Sequence, residues 1–177
     1  MIALLAARPL RRTNFVSLEL GRHLLRDEAG GWRLQVPAEE TKTGRAIALP
    51  FPAALVPALE HYLAVHRPVL AAQHGRWHQP AGAALWLSAQ GSPMTGMAFY
   101  DRIRERTAAA FGQPLNPHLF RDAAATSLAI QDPTQVRLAA QVLGHASFAT
   151  TEKHYNLANS LDAGQAWHAT VDEIRSG

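Results

Sequence analysis

Two short runs, Arg22–Arg26 and Trp32–Val36, flank the spacer Asp27-Glu28-Ala29-Gly30-Gly31. A polar, glycine-ended spacer between extended runs signals a hairpin. A third run, Ala46–Leu49, follows the polar segment Glu39–Arg45 and ends at Pro50. Strands this short and this close in sequence build only a small antiparallel sheet, so the rest of the core must come from helices.

The remaining sequence reads that way. Residues 2–8 and 12–20 read as two short helical stretches broken at Pro9, with Asn14, beside Thr13, as a candidate cap. Pro52 opens a long amphipathic segment in which Leu55, Leu59, Tyr62, Leu63, His66 and Leu70 recur at spacings of three and four, one helical face. Gly75–Ala84 reads as a loop and Leu85–Leu87 as a short extended piece. Gly96–Phe111 predicts a helix with Phe99, Ile103 and Ala110 inward, and another begins at His118. Asp132-Pro133 marks a further helix start. Leu143-Gly144 marks its end, with Gly144 at the left-handed position. Thr150–Asn156 starts another turn, and the tail to Ile174 is expected to be helical. The expected fold is α+β, mostly helical with a small three-stranded antiparallel sheet.

The 177 residues are one domain's worth of chain, 47% hydrophobic and 18% charged, an ordinary globular balance. No apolar run approaches the ~18 residues of a membrane span. Met1–Ala7 is apolar, but Arg8, Arg11 and Arg12 follow it where a cleavage site would stand, so it reads as a packed helix rather than a signal peptide. With 0 cysteines, a disulfide scaffold, a thiolate zinc site and a cysteine nucleophile are excluded together. The expected setting is cytoplasmic. A net charge of +3 and a pI near 9.8 point weakly to polyanionic partners. Asp162, Asp172 and Glu173 make the tail acidic, so the basic balance lies in the body.

Basic and nucleophilic residues recur in a particular order. Arg11 lies in Leu10-Arg11-Arg12-Thr13-Asn14-Phe15, and Lys42 in Thr41-Lys42-Thr43-Gly44-Arg45 between two strands. His118-Leu119-Phe120-Arg121 opens a helix, Leu143-Gly144-His145 closes one, and Tyr155 ends Thr150-Thr151-Glu152-Lys153-His154-Tyr155. This order resembles the catalytic domain of the tyrosine recombinases, the phage integrase family, from about residue 2 to about residue 160. His-x-x-Arg alone is common; five pieces in order, each in its expected kind of element, are specific.

The resemblance implies metal-free cleavage and rejoining of double-stranded DNA through a 3′-phosphotyrosine link, in integration or excision of a mobile element, with no cofactor. It also implies a homo-tetramer on two DNA sites. The chemistry gives these residue types a reason. Two guanidinium groups, Arg11 and Arg121, suit a phosphorane-like transition state because they stay charged and grip phosphate oxygens bidentately. A tyrosine hydroxyl, with an ordinary pKa of about 10, needs a base and a cationic field. His118 is the candidate proton acceptor or donor, His145 the candidate donor to phosphate, and Lys42, on a mobile turn, the acid for the departing 5′ oxygen. Arg12, Arg45, Lys153 and His154 are candidate DNA contacts.

Plainer readings stand beside these. Tyr155 alone reads as an aromatic plugging a helix junction, His145 as a C-terminal cap and His118 as an ordinary first-turn residue. Arg45 rivals Lys42 and Arg12 rivals Arg11; Arg11 is preferred because Asn14, Phe15 and Leu18 then fall at the family's spacings. A zinc site of His118, His145 and His154 lacks any supporting ligand spacing. His61 and His66 read as surface residues. Trp32, Trp77, Trp86 and Trp167 read as packing residues.

The sequence departs from the family pattern at three points. Asn14 stands where the family often has Glu. Tyr155 follows His145 by 10 residues, one more than usual. The family's N-terminal DNA-clamping domain is expected to be absent, the first helix clipped. Residues 1–160 are therefore expected to form the catalytic domain and 161–177 a tail that docks on a neighbour or packs on its own protomer. Two alternatives remain open: a catalytically silent DNA-binding or interaction module, and a type IB topoisomerase-like nicking-closing activity.

Overall fold

The computed structural model describes residues 1–28, 30–73 and 80–131. Contacts divide the chain into two units, Met1–Phe120 and Arg121–Gly177. The expected features at 132–133, 143–144, 150–156 and 161–177, together with Trp77 and Trp167, lie outside the described residues.

The first unit begins with α1 (Ile2–Ala7) and α2 (Arg12–Val16), separated at Pro9 as expected. The second helix stops four residues sooner than its sequence suggests. Beyond Ser17 the backbone turns to sheet-like pairing instead, with Leu85 N–H donating to the Leu18 carbonyl at 2.7 Å and Leu20 N–H to the Ala83 carbonyl at 2.8 Å. Asn14 is not a cap: Arg11 holds that position, and Asn14 is buried within α2.

Strands β1 (Leu24–Arg26), β2 (Trp32–Val36) and β3 (Ile47–Pro50) form the predicted antiparallel sheet in the order β1-β2-β3. Leu24 pairs with Leu34 and Leu34 with Leu49, an apolar row across the sheet, and Val36 faces Ile47 beside it. Alternation puts Leu24, Leu34 and Val36 in the core. The first strand starts two residues late because Gly21, at φ +76°, closes a turn in which His23 and Leu24 N–H both donate to the Glu19 carbonyl. In the hairpin, the Asp27 carboxylate accepts from Gly31 N–H at 2.7 Å.

The amphipathic segment becomes α3 (Val56–His61), a π-helical turn over Tyr62–His66, and α4 (Arg67–Ala72). Pro68 accounts for the widened turn. Its ring would meet the carbonyl four residues back, and it lacks a donor. Arg67 N–H therefore reaches back five residues to Tyr62. The extra residue shifts the phase of the helix. Leu59 is buried and Tyr62, Leu63 and Leu70 are half-buried, whereas His66 is exposed, as its reading as a surface residue expects, and meets His61 edge-on at 4.9 Å.

Helix α5 (Gly96–Phe111) has the expected bounds, capped by the Thr95 hydroxyl accepting from Ala98 N–H. Phe99 and Ile103 are buried, but Ala110 is exposed; Thr107 takes the inward place instead. The Thr107 hydroxyl donates to the Ile103 carbonyl and accepts from Leu115 N–H at 2.9 Å, drawing the following loop back onto the helix. Helix α6 (Pro117–Gln131) follows.

Aromatic packing ties the first unit together. Phe15 stacks on Trp86 at 5.4 Å with planes 7° apart and meets Phe99 at 5.2 Å. The Trp86 indole N–H donates to the Phe15 carbonyl at 2.9 Å, and the Tyr62 ring lies 5.7 Å from the indole, tilted by 40°. Trp32 opens the central strand opposite Arg26, its ring 4.0 Å from the Arg26 guanidinium, which also pairs with Glu60 at 2.8 Å.

Candidate functional site

Arg11 caps the N-terminus of α2 from just outside it. Its backbone is extended (φ −59°, ψ 144°), its carbonyl accepts the first helical bond from Phe15 N–H at 2.8 Å, and its side chain is half-buried. The stacked Phe15 four residues on fixes the helix, and with it the start from which Arg11 projects. Arg12 is exposed and lines a groove with Thr13, Ser17 and the segment 81–84, its Nε close to Gly96. Among the described residues, neither arginine pairs with a carboxylate.

Lys42 lies on the turn between β2 and β3, after a 3₁₀ turn at Ala38–Glu40. The turn expected to be mobile is closed at its base. Buried Thr41 accepts from Arg45 N–H at 3.0 Å through its hydroxyl, and Gly44 N–H donates to the Thr41 carbonyl at 3.2 Å. Gly44, at φ +64°, supplies the left-handed residue the turn requires. Lys42 and Arg45 are both exposed at its tip, and neither has a carboxylate partner among the described residues.

The segments that carry Arg11 and Lys42 are joined through Glu40, which the motif order does not include. The Asn14 side-chain amide donates to the Glu40 main-chain carbonyl at 2.8 Å. The Glu40 carboxylate meets His23 Nε2 at 2.8 Å and the Arg22 guanidinium. Buried His23 accepts at Nδ1 from Glu19 N–H, so its proton sits on Nε2, facing Glu40. The His23 hydrogen bond holds the Glu40 carboxyl below the usual glutamate range; partial burial opposes this and Arg22 adds to it. The only sequence hint was a pair of acidic residues beside a basic turn. Nothing in the spacing marked His23.

His118 and Arg121 stand one turn apart in the first turns of α6. His118 is exposed, with its N–H capped by the Asn116 side chain at 2.9 Å, while Arg121 is buried at 5% exposure. His145, Lys153, His154 and Tyr155 lie outside the described residues. Among the described residues no cluster of three His, Asp or Glu side chains could hold a metal, and no helix is long and apolar enough to cross a membrane.

A mostly helical unit with this small sheet is the architecture of solved site-specific recombinases. The XerA recombinase has a TM-score of 0.67 at 22% identity, over 94% of this chain and 56% of that one. The XerH recombinase bound to its difH substrate, in a post-cleavage complex, has a TM-score of 0.70 at 17% identity, over 94% and 44%. The profile of the phage integrase family matches residues 1–161, and the chain belongs to that family. Tyrosine recombinase XerC 1 of Ralstonia nicotianae is 32% identical over 159 residues, 84% of this chain and 45% of that protein. Tyrosine recombinase XerC of Azotobacter vinelandii is 33% identical over 79 residues, 45% of this chain and 26% of that protein. The chain spans less than half the length of these curated relatives.

Proposed function

We propose that this chain is the catalytic portion of a tyrosine-type site-specific recombinase. It cleaves and rejoins double-stranded DNA through a 3′-phosphotyrosine intermediate, in integration or excision of a mobile element. One observation carries the reading: the ordered set Arg11, Lys42, His118-x-x-Arg121, Leu143-Gly144-His145 and Tyr155 falls wholly inside the family match at residues 1–161. A transposon integrase bound to circular intermediate DNA shares the fold at a TM-score of 0.58, which supports the mobile-element part.

On this reading Tyr155 attacks the scissile phosphorus, giving its proton to His118. The P–O5′ bond breaks as the new Tyr–O–P bond forms, and the leaving oxygen takes a proton from Lys42. Arg11, Arg121 and His145 hold the non-bridging oxygens while charge accumulates. Preorganised donors of this kind are worth about 3–4 kcal/mol each, a factor of 10²–10³. Because the phosphodiester energy is kept in the tyrosine link, rejoining needs no nucleotide. Residues 1–160 form the catalytic domain and 161–177 a tail that docks on a neighbour or packs on its own protomer, with protomers acting as a cytoplasmic tetramer on two DNA sites.

The test is covalent capture on a nicked duplex carrying sequence that flanks the encoding gene, with EDTA present and a denaturing gel as readout. A DNA-linked protein band supports the reading. Binding without a band identifies a catalytically silent DNA-binding module.

A further inference from the structure

Three tethers converge on Glu40, a residue outside the motif set. Its main-chain carbonyl accepts at 2.8 Å from Asn14, which lies on the short helix that Arg11 caps, three residues beyond Arg11. Its carboxylate is held on one oxygen by His23 at 2.8 Å and on the other by Arg22. His23 has little freedom to turn away, because it is only 3% exposed and its other ring nitrogen is engaged by Glu19 N–H at 3.1 Å. The next residue, Thr41, locks the turn that presents Lys42.

We propose that Glu40 is a positioning residue, fixing the Lys42 turn against the start of α2, where Arg11 stands; this rests on the recombination reading above. The arrangement does two things. It sets the spacing between the cation that holds the phosphate and the ammonium that protonates the leaving oxygen. It also engages the Glu40 carboxylate with His23 and Arg22, so that it does not neutralise Lys42 two residues on. A misplacement of about 1 Å in such a constellation can cost on the order of 10²-fold.

A leaving-group test separates this role from a general loss of structure. The nicked duplex is made with either an ordinary phosphodiester or a 5′-bridging phosphorothiolate at the mapped scissile position. A thiolate departs without protonation, so that substrate does not need the acid. Glu40→Gln is expected to slow covalent capture about 10- to 100-fold on the ordinary substrate. On the sulfur substrate its rate should fall within about threefold of wild type. Lys42→Ala should show the same rescue more strongly. Arg22→Ala, which removes only an exposed tether, gives a smaller deficit with the same rescue and serves if Glu40→Gln does not fold. An equal deficit on both substrates, or no deficit on either, overturns the positioning role while leaving the recombination reading intact. If wild type captures neither substrate, the recombination reading fails, and this inference with it.

Discussion

The indole of Trp86 lies flat against Phe15 and also donates a 2.9 Å hydrogen bond to the main-chain carbonyl of that residue, 71 positions away in sequence. One side chain therefore packs the α2 helix and satisfies a buried polar group of its backbone. Trp86→Phe keeps most of the stacking and strands the carbonyl, at an expected cost of about 1–3 kcal/mol. Phe15→Ala removes the ring and should cost about 3–5 kcal/mol. Urea denaturation measures both. Equal, small losses would mean that α2 is not held from beneath in this way.

Thr107 offers a cleaner separation of shape from hydrogen bonding. Thr107→Val keeps the volume but leaves Leu115 N–H without its acceptor, an expected loss of about 1–3 kcal/mol. Thr107→Ser keeps the hydroxyl and should cost less. A reversed order in thermal melts would place the weight on the methyl group rather than the bond.

The Glu40 carboxyl, held below the usual glutamate range, predicts a pH dependence with a definite sign. A depressed folded-state pKa contributes stability that is fully present above the unfolded value, about 4.3, and is lost as pH falls through the folded value. The difference in urea midpoint between wild type and Glu40→Gln should therefore shrink as pH falls below about 5. A difference that stays constant down to about pH 3 would show that the contact with His23 and Arg22 carries no charge.

Exposed Arg45 at the tip of the β2–β3 turn is a candidate phosphate contact. Arg45→Ala should weaken binding evenly across unrelated duplexes and reduce the log–log salt slope by about 1. Weaker binding with an unchanged slope would assign Arg45 another role.

The sequence made the outline of the fold legible. The glycine-ended spacer gave the hairpin, and Phe99 with Ile103 gave the buried face of α5, because those signals are local and periodic. What escaped depends on distant partners. Nothing around Val16 and Ser17 shows that the chain beyond them pairs with Ala83–Leu85. Asn14 has the chemistry of a cap, yet its partner is a carbonyl 26 residues away. The candidate site divides along the same line. Its motif order could be read because each piece is short and contiguous, whereas the Glu40, His23 and Arg22 contacts that link two pieces exist only once the sheet has formed.

The assignment of Tyr155 as the nucleophile is tested by mapping the covalent link itself. After capture on the nicked duplex with EDTA present, nuclease trimming and peptide mapping should find the nucleotide remnant on the peptide containing Tyr155, and Tyr155→Phe should give no adduct while binding DNA nearly as well as wild type. A remnant on any other residue, or an undiminished adduct in Tyr155→Phe, would rule Tyr155 out as the nucleophile.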